Sequence, residues 1–171
     1  MSGKKAILDA SSAIILCKAK LQHLLIEVYE IVLAESVYHE VTAKPYSGAE
    51  EYRQLVTDKK IRVEGNLPQN QDKGIGLDQG EYDTIQLYYQ GVGDFVITDD
   101  GAAARYCKRE GVPFINALLF PVVLRYEHIA EPGFCDAAFE DICETGRYTE
   151  NIISFAGNCR KEDILFALPT K

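Results

Sequence analysis

The sequence predicts an α/β protein, with a central, mostly parallel sheet flanked by helices and an all-helical C-terminal extension. Three observations carry this expectation. Short apolar or β-branched runs alternate with helix-like segments from Lys4 to Tyr126, the pattern of right-handed crossovers between parallel strands. Two of those runs end on acids, KKAIL on Asp9 and DFVIT on Asp99-Asp100, and the carboxyl ends of strands are where open α/β sheets bind ligands. Beyond Glu131-Pro132-Gly133 the remaining segments read as helices. A chain of 171 residues with 47% hydrophobic content is long enough for one buried core. Residues 1–130 are expected to form the main domain and residues 131–171 a helical extension packed on it.

Lys4 to Leu8 reads as a buried strand, and Asp9-Ala-Ser-Ser supplies an N-cap for one apolar helix running from Ala13 to Leu25. Ile31 to Leu33 is a second strand. Ser36 stands as a cap ahead of Val37, Glu40 and Val41 on one helical face, and that helix stops before Pro45. Ala49 to Asp58 is an amphipathic helix and Ile61 to Val63 a strand, while Gly65 to Gly76 lacks hydrophobic periodicity and reads as a surface loop. A helix follows Asp78, with Tyr82, Ile85, Tyr88 and Tyr89 at helical spacing until Gly91 and Gly93. Phe95 to Thr98 is a strand, Ala102 to Arg109 a helix ended by Gly111, and Pro113 to Ile115 a strand. Asn116 caps a helix from Ala117 to Tyr126. Phe134 to Glu144, Tyr148 to Ala156 and a weaker segment from Glu162 to Leu168 make up the extension.

Composition narrows the function. Five scattered cysteines without a C-x-x-C pair argue against a disulfide framework or zinc knuckle and for buried, reduced thiols. His39-Glu40 starts like a zincin motif, but Ala43 stands where the second histidine belongs. No run of about 20 apolar residues is present, and the start MSGKKAILDASS lacks a secretory h-region, so a cytoplasmic location is expected. The net charge of −8 weighs against a protein that grips phosphates through Lys and Arg; bound divalent cations would neutralise part of it.

The acids that remain are Asp9, Glu40, Glu81 and the doublet Asp99-Asp100, and each has an ordinary alternative. Asp9 alone reads as an N-cap. Asp78-Gln-Gly-Glu81 matches a capping box, with Asp78 as N-cap and Glu81 reaching back to it. Asp83, two residues on, points away from Glu81. Glu40 alone is a solvated helix residue, and Asp99-Asp100-Gly101 a turn. The inference comes from the set.

In order, Leu8-Asp9-Ala-Ser11, Val37-Tyr-His-Glu40-Val41, Leu77-Asp-Gln-Gly-Glu81-Tyr-Asp-Thr-Ile85 and Ile97-Thr98-Asp99-Asp100 resemble the PIN-domain nucleases over roughly Lys4 to Ala130. The piece from Gly80-Glu81 through Asp100 to Arg105 and Gly111-Val-Pro resembles a prokaryotic subgroup of nuclease-like and toxin-like proteins. The resemblance implies a three-layer PIN-like fold and a Mg²⁺- or Mn²⁺-dependent endoribonuclease with Asp9, Glu40, Glu81 and Asp100 as catalytic acids. Asp9 and Glu81 would bind metal with Asp100 or Asp99, the doublet leaving that choice open. Ser11, Thr98 and Arg105 would position water or phosphate. RNA as substrate, an antitoxin as partner and a homodimer are further implications.

Four carboxylates converging without a cation would repel one another and bind protons too readily, so a metal is expected on physical grounds as well. The chief rival is a non-catalytic PIN-like scaffold that binds a protein or nucleic acid, which the acidic charge favours. An aspartyl phosphatase would carry a second Asp after Asp9, and a receiver domain would carry its acidic pair early in the chain. Gly74-Ile-Gly76-Leu-Asp-Gln-Gly80 has one residue too many for a dinucleotide fingerprint.

Overall fold

The protein is described from a computed structural model that covers residues 3–43, 46, 48–65, 67 and 76–169. Five strands form one all-parallel sheet: β1 (Lys5–Leu8), β2 (Glu30–Ala34), β3 (Ile61–Glu64), β4 (Phe95–Ile97) and β5 (Phe114–Ile115). Their order is β3-β2-β1-β4-β5. The first three strands step toward one edge, and the chain then crosses back to place β4 on the other side of β1. The strand order thus reverses between β1 and β4, the switch point at which two strand ends diverge and leave a crevice. The three strands at the middle of the sheet are apolar and buried apart from Lys5 and Glu30 at their starts, as a sheet covered on both faces requires, while the edge strand β3 carries Arg62 and Glu64 and buries only Ile61; Ala6, Ile7, Leu8, Leu33, Val96 and Ile97 are fully enclosed.

Helices α1 (Ala10–Lys18) and α2 (Gln22–Val28) connect β1 to β2. The single helix expected from Ala13 to Leu25 is therefore two. Lys20 adopts a left-handed φ of 59°, and Leu21 N donates to Leu16 O at 2.8 Å while Lys20 N donates to Cys17 O at 2.9 Å, the paired bonds of a Schellman stop. α3 (Glu35–Thr42) and α4 (Ala49–Thr57) lead to β3. Ser36 does not cap α3: Ala34 holds the cap position without a side-chain bond, and the Ser36 hydroxyl donates instead to Asp83 Oδ2 at 2.5 Å. The expected Gly65–Gly76 loop falls mostly outside the described residues, as does Pro45.

α5 (Gln79–Tyr89) joins the two halves of the sheet, α6 (Gly101–Glu110) lies between β4 and β5, and a 3-10 turn over Ala117–Leu119 leads into α7 (Phe120–Tyr126). The Asn116 side chain accepts from Leu119 N at 3.1 Å, so the predicted cap is in place. α8 (Pro132–Thr145), α9 (Glu150–Gly157) and a 3-10 segment over Lys161–Ala167 complete the chain. This stretch is anchored to the sheet's own helices and core. Tyr126 donates to Cys159 O at 2.5 Å and Tyr29 to Ala167 O at 2.6 Å. The Phe95 and Phe166 rings meet edge to face at 6.0 Å. All five cysteines are free, and four are buried. Among the described residues no helix is long and apolar enough to cross a membrane.

One glycine sets how closely the sheet's entry to β4 approaches β1. A Cβ on Gly93 would lie 2.5 Å from Ile7 Cγ1 and 3.3 Å from Lys5 O, beside the bond from Asp94 N to Lys5 O at 2.8 Å. Gly93→Ala is therefore expected to destabilise the protein by about 1–3 kcal/mol through overpacking. The check is a lower urea midpoint with an unchanged slope.

Candidate active site

Leu8 pairs with Ile97 across β1 and β4, which sets Asp9 level with Thr98 just past the sheet edge; Asp9 N donates to Ile97 O at 2.9 Å. Asp9 is the N-cap of α1, and its Oδ1 accepts from Ala10 N at 2.9 Å. Its Oδ2 accepts from the Thr98 hydroxyl at 2.7 Å and from Ser11 at a longer 3.4 Å. The side chain is only 3% exposed. Burial raises its pKa to about 6; the Thr98 and Ala10 hydrogen bonds oppose the rise, and the charges of Asp78 and Asp100 add to it.

Glu81 reaches the same place from α5. The expected capping box is present: Asp78 Oδ1 accepts from Glu81 N at 2.8 Å, and Glu81 Oε2 accepts from Asp78 N at 2.9 Å. Capping does not divert these residues from the acid cluster. Burial pushes Glu81 up to about 7, against the backbone bond from Asp78, with further upward pressure from the charges of Asp78 and Asp100 and from a hydrogen bond to Asp100. Asp100 is the N-cap of α6, its Oδ1 accepting from Ala102 N at 2.7 Å and Ala103 N at 2.9 Å. Three helix N-termini, those of α1, α5 and α6, thus present their partial positive ends to this group of acids.

Glu40 is exposed on the rim. It too is raised, by partial burial and then by Asp78, and a Cβ on Gly80 would sit 3.4 Å from Glu40 Oε2 and 3.6 Å from Asp78 Oδ1. These are ordinary van der Waals separations, and they set the Glu40 carboxylate on α3 beside the start of α5. Asp78 is the member that the sequence reading left out of the site, having assigned it to capping alone. The signal was available, because a cap residue and its box partner lie at the same helix end. Asp83, set aside earlier, is buried and accepts from Ser36 and Gln79.

The structure puts the remaining predicted residues to specific uses. Thr98 is fully buried, and its hydroxyl donates to Asp9 and accepts from Asp100 N at 3.2 Å, a role in holding the acids rather than in meeting water or phosphate. Ser11 accepts from Asp99 N at 3.1 Å. Arg105 is exposed and folds back along its helix; a Cβ on Gly101 would lie 3.2 Å from its Nη1, which puts the guanidinium beside the start of α6. Asp99 and Asp100 are separated by their contacts: both Asp99 oxygens accept bonds from within the fold, from Ser12, Ala117 N and Tyr148, while Asp100 faces Glu81.

Among the described residues no three Asp, Glu, His or Cys side chains are arranged as a preformed cation cage. The donor set nonetheless suits a hard divalent cation: oxygen ligands only, their protons held above the usual carboxylate range first by burial and then by the neighbouring carboxylates. Among solved structures the chain is similar to a PilT N-terminus domain protein from the hyperthermophilic archaeon Sulfolobus solfataricus, with 14% identity, 85% of this chain and 99% of that chain covered, and a TM-score of 0.47. No curated protein matches it. The model of a family described as a PIN domain, DUF3368, matches residues 5–148, and the chain belongs to that PIN-domain family.

Proposed function

We propose that the protein is a metal-dependent endoribonuclease that hydrolyses phosphodiester bonds at this acid cluster. The observation that carries the reading is the placement of Asp78 and Asp100 within electrostatic reach of both Asp9 and Glu81 at the strand-order reversal of a PIN-domain chain. Asp9, Glu81 and Asp100 would hold Mg²⁺ or Mn²⁺, with Glu40 and Asp78 at the rim. The cation would supply an activated water and neutralise charge developing on the phosphodiester. The chain's own residues set the geometry. Thr98 and the Ala10 N–H fix the Asp9 carboxylate, Ala102 and Ala103 N–H fix Asp100, and Arg105 offers a guanidinium to a phosphate oxygen approaching the start of α6.

The same cluster suits the toxin of a toxin–antitoxin pair, with an antitoxin presenting Arg or Lys to the carboxylates. Phe134, Ile152 and Phe155, 47%, 38% and 56% exposed, offer apolar surface on α8 and α9 for a homodimer. The second reading, a non-catalytic scaffold, is favoured by the net charge of −8, which opposes affinity for a polyanion.

Calorimetry with Mn²⁺ and Mg²⁺, together with cleavage of matched RNA and DNA panels, separates the two. Metal binding with RNA cleavage that EDTA abolishes is the expected result. Cleavage of DNA alone would replace the substrate class. Metal binding without any cleavage, or no binding at millimolar cation, would leave the scaffold as the better account.

A further inference from the structure

The two aspartates after β4 are neighbours in sequence, yet they hold different things together. Asp99 is part-buried, and its carboxylate is a junction of three pieces of chain far apart in sequence. Oδ2 accepts from the Ser12 hydroxyl at 2.5 Å, in the first turn of α1, and from Ala117 N at 3.0 Å, in the turn after β5. Oδ1 accepts from the Tyr148 hydroxyl, in the link between α8 and α9. The Asp99 N–H donates to Ser11 Oγ at 3.1 Å. Space for the tyrosine is provided locally: a Cβ on Gly146 would fall 2.2 Å from Tyr148 Cε2, so any larger residue there would displace the ring. Tyr148 therefore ties a segment beyond the sheet to the loop that carries Asp100, and through Ser12 to the helix that starts at Asp9.

We infer that Tyr148 and Asp99 are positioning residues. Tyr148 orients Asp99, and Asp99 fixes the α1 start and the β4–α6 loop against each other, so that Asp9 and Asp100 meet at a set distance. Neither residue touches substrate. The effect on rate rests on the nuclease reading above; the strap itself rests on the hydrogen bonds. Acids that must converge on one reacting group are sensitive to misplacement well below the length of a bond network, and the loss falls on turnover more than on binding.

The test compares the wild type with Tyr148→Phe, Asp99→Asn and Asp99→Ala in three measurements: steady-state cleavage of RNA with Mn²⁺, Mn²⁺ affinity by calorimetry, and amide exchange at Ala117, whose N–H bonds Asp99. Tyr148→Phe is expected to lower kcat about tenfold with KM within about twofold and to speed exchange at Ala117. Asp99→Asn is expected to leave Mn²⁺ affinity within about threefold and to restore most of the kcat that Asp99→Ala loses, because the amide oxygen still accepts from Ser12 and Ala117 while its NH₂ meets the Tyr148 oxygen. Loss of Mn²⁺ affinity in Asp99→Asn would make Asp99 a ligand and overturn the inference, as would an unchanged kcat in Tyr148→Phe. If the wild type neither binds Mn²⁺ nor cleaves, the nuclease reading fails separately. Ala117 then decides the strap: faster exchange in Tyr148→Phe sustains it, and unchanged exchange removes it.

Discussion

Replacing Asp9 by asparagine is expected to abolish cleavage while leaving the protein at least as stable as the wild type. Both halves follow from one environment. Asp9 is the most deeply buried of the acids proposed to hold the cation, at 3% exposed, and an amide in its place removes a full negative charge from that group. The loss should be about three orders of magnitude in turnover, the scale of several kcal/mol of electrostatic stabilisation, with the calorimetric Mn²⁺ signal vanishing in the same variant. Stability should move the other way. The carboxylate is buried and held at a pKa of about 6 rather than 3.8, a shift of about two units that corresponds to a cost of about 3 kcal/mol at neutral pH. Asparagine is as good an N-cap, so Ala10 N keeps its acceptor, and the amide can meet the Thr98 hydroxyl. Thermal unfolding and RNA cleavage measured on one preparation check the pair. An Asp9→Asn protein that still cuts RNA, or one inactive only because it is unfolded, would remove Asp9 from the centre of the mechanism.

The sheet was legible because parallel strands buried on both faces read as short apolar runs, and because glycine marks helix ends. α5 and α6 stop at Gly91 and Gly111, with φ near 70°: Gly111 N and Val112 N both donate to Cys107 O, and the paired bonds Gly91 N to Tyr88 O at 2.9 Å and Val92 N to Leu87 O at 3.0 Å close α5. α1 ends by identical bonding at Lys20, α4 at Lys59 and α7 at His128, all with positive φ. A left-handed lysine costs about 1–2 kcal/mol and leaves no mark in the sequence. Within the unbroken apolar stretch from Ala13 to Leu25, the division into α1 and α2 was therefore invisible.

The site was legible in its acids and illegible in its connections. The capping box at Asp78 and the acid at Glu81 read as competing explanations, whereas in the fold they are compatible: the caps of α1, α5 and α6 lie within electrostatic reach of one another while their oxygens also accept from the helix N–H groups. The Thr98-x-Asp100 spacing points to Asp100, but the doublet leaves Asp99 open in the sequence. Their separation depends on Tyr148, 49 residues away, and on Ala117 from the next strand's end, contacts that exist only once the sheet is assembled.

Without divalent cation, the protein is expected to become less stable as pH rises from about 4 to about 7, opposite to the usual behaviour of a paired carboxylate. The sign comes from the folded state holding protons more tightly than the unfolded chain. Asp9 moves from 3.8 to about 6 and Glu81 from 4.5 to about 7; Asp99 and Glu40 are raised in the same direction by burial. Below about pH 4 these groups are protonated in both states and contribute no difference. Through the window between the ordinary and raised values the native state binds more protons than the unfolded chain, so each increment of pH costs stability, and above it the cost is constant. Asp163, lowered by Arg160, acts in the opposite sense but lies on the surface at the far end of the chain, where an ion pair is worth little. A cation bound among the acids competes with these protons. Millimolar Mn²⁺ should therefore raise Tm by on the order of 5 °C or more at about pH 7.5 and far less at about pH 5, and Asp9→Asn should flatten the pH dependence of the metal-free protein. Thermal unfolding at three pH values, with and without Mn²⁺, measures all of this. A metal-free Tm that climbs across the window, or a Mn²⁺ shift that is the same at both ends, would mean that burial and neighbouring charge do not hold protons on these acids as the structure places them.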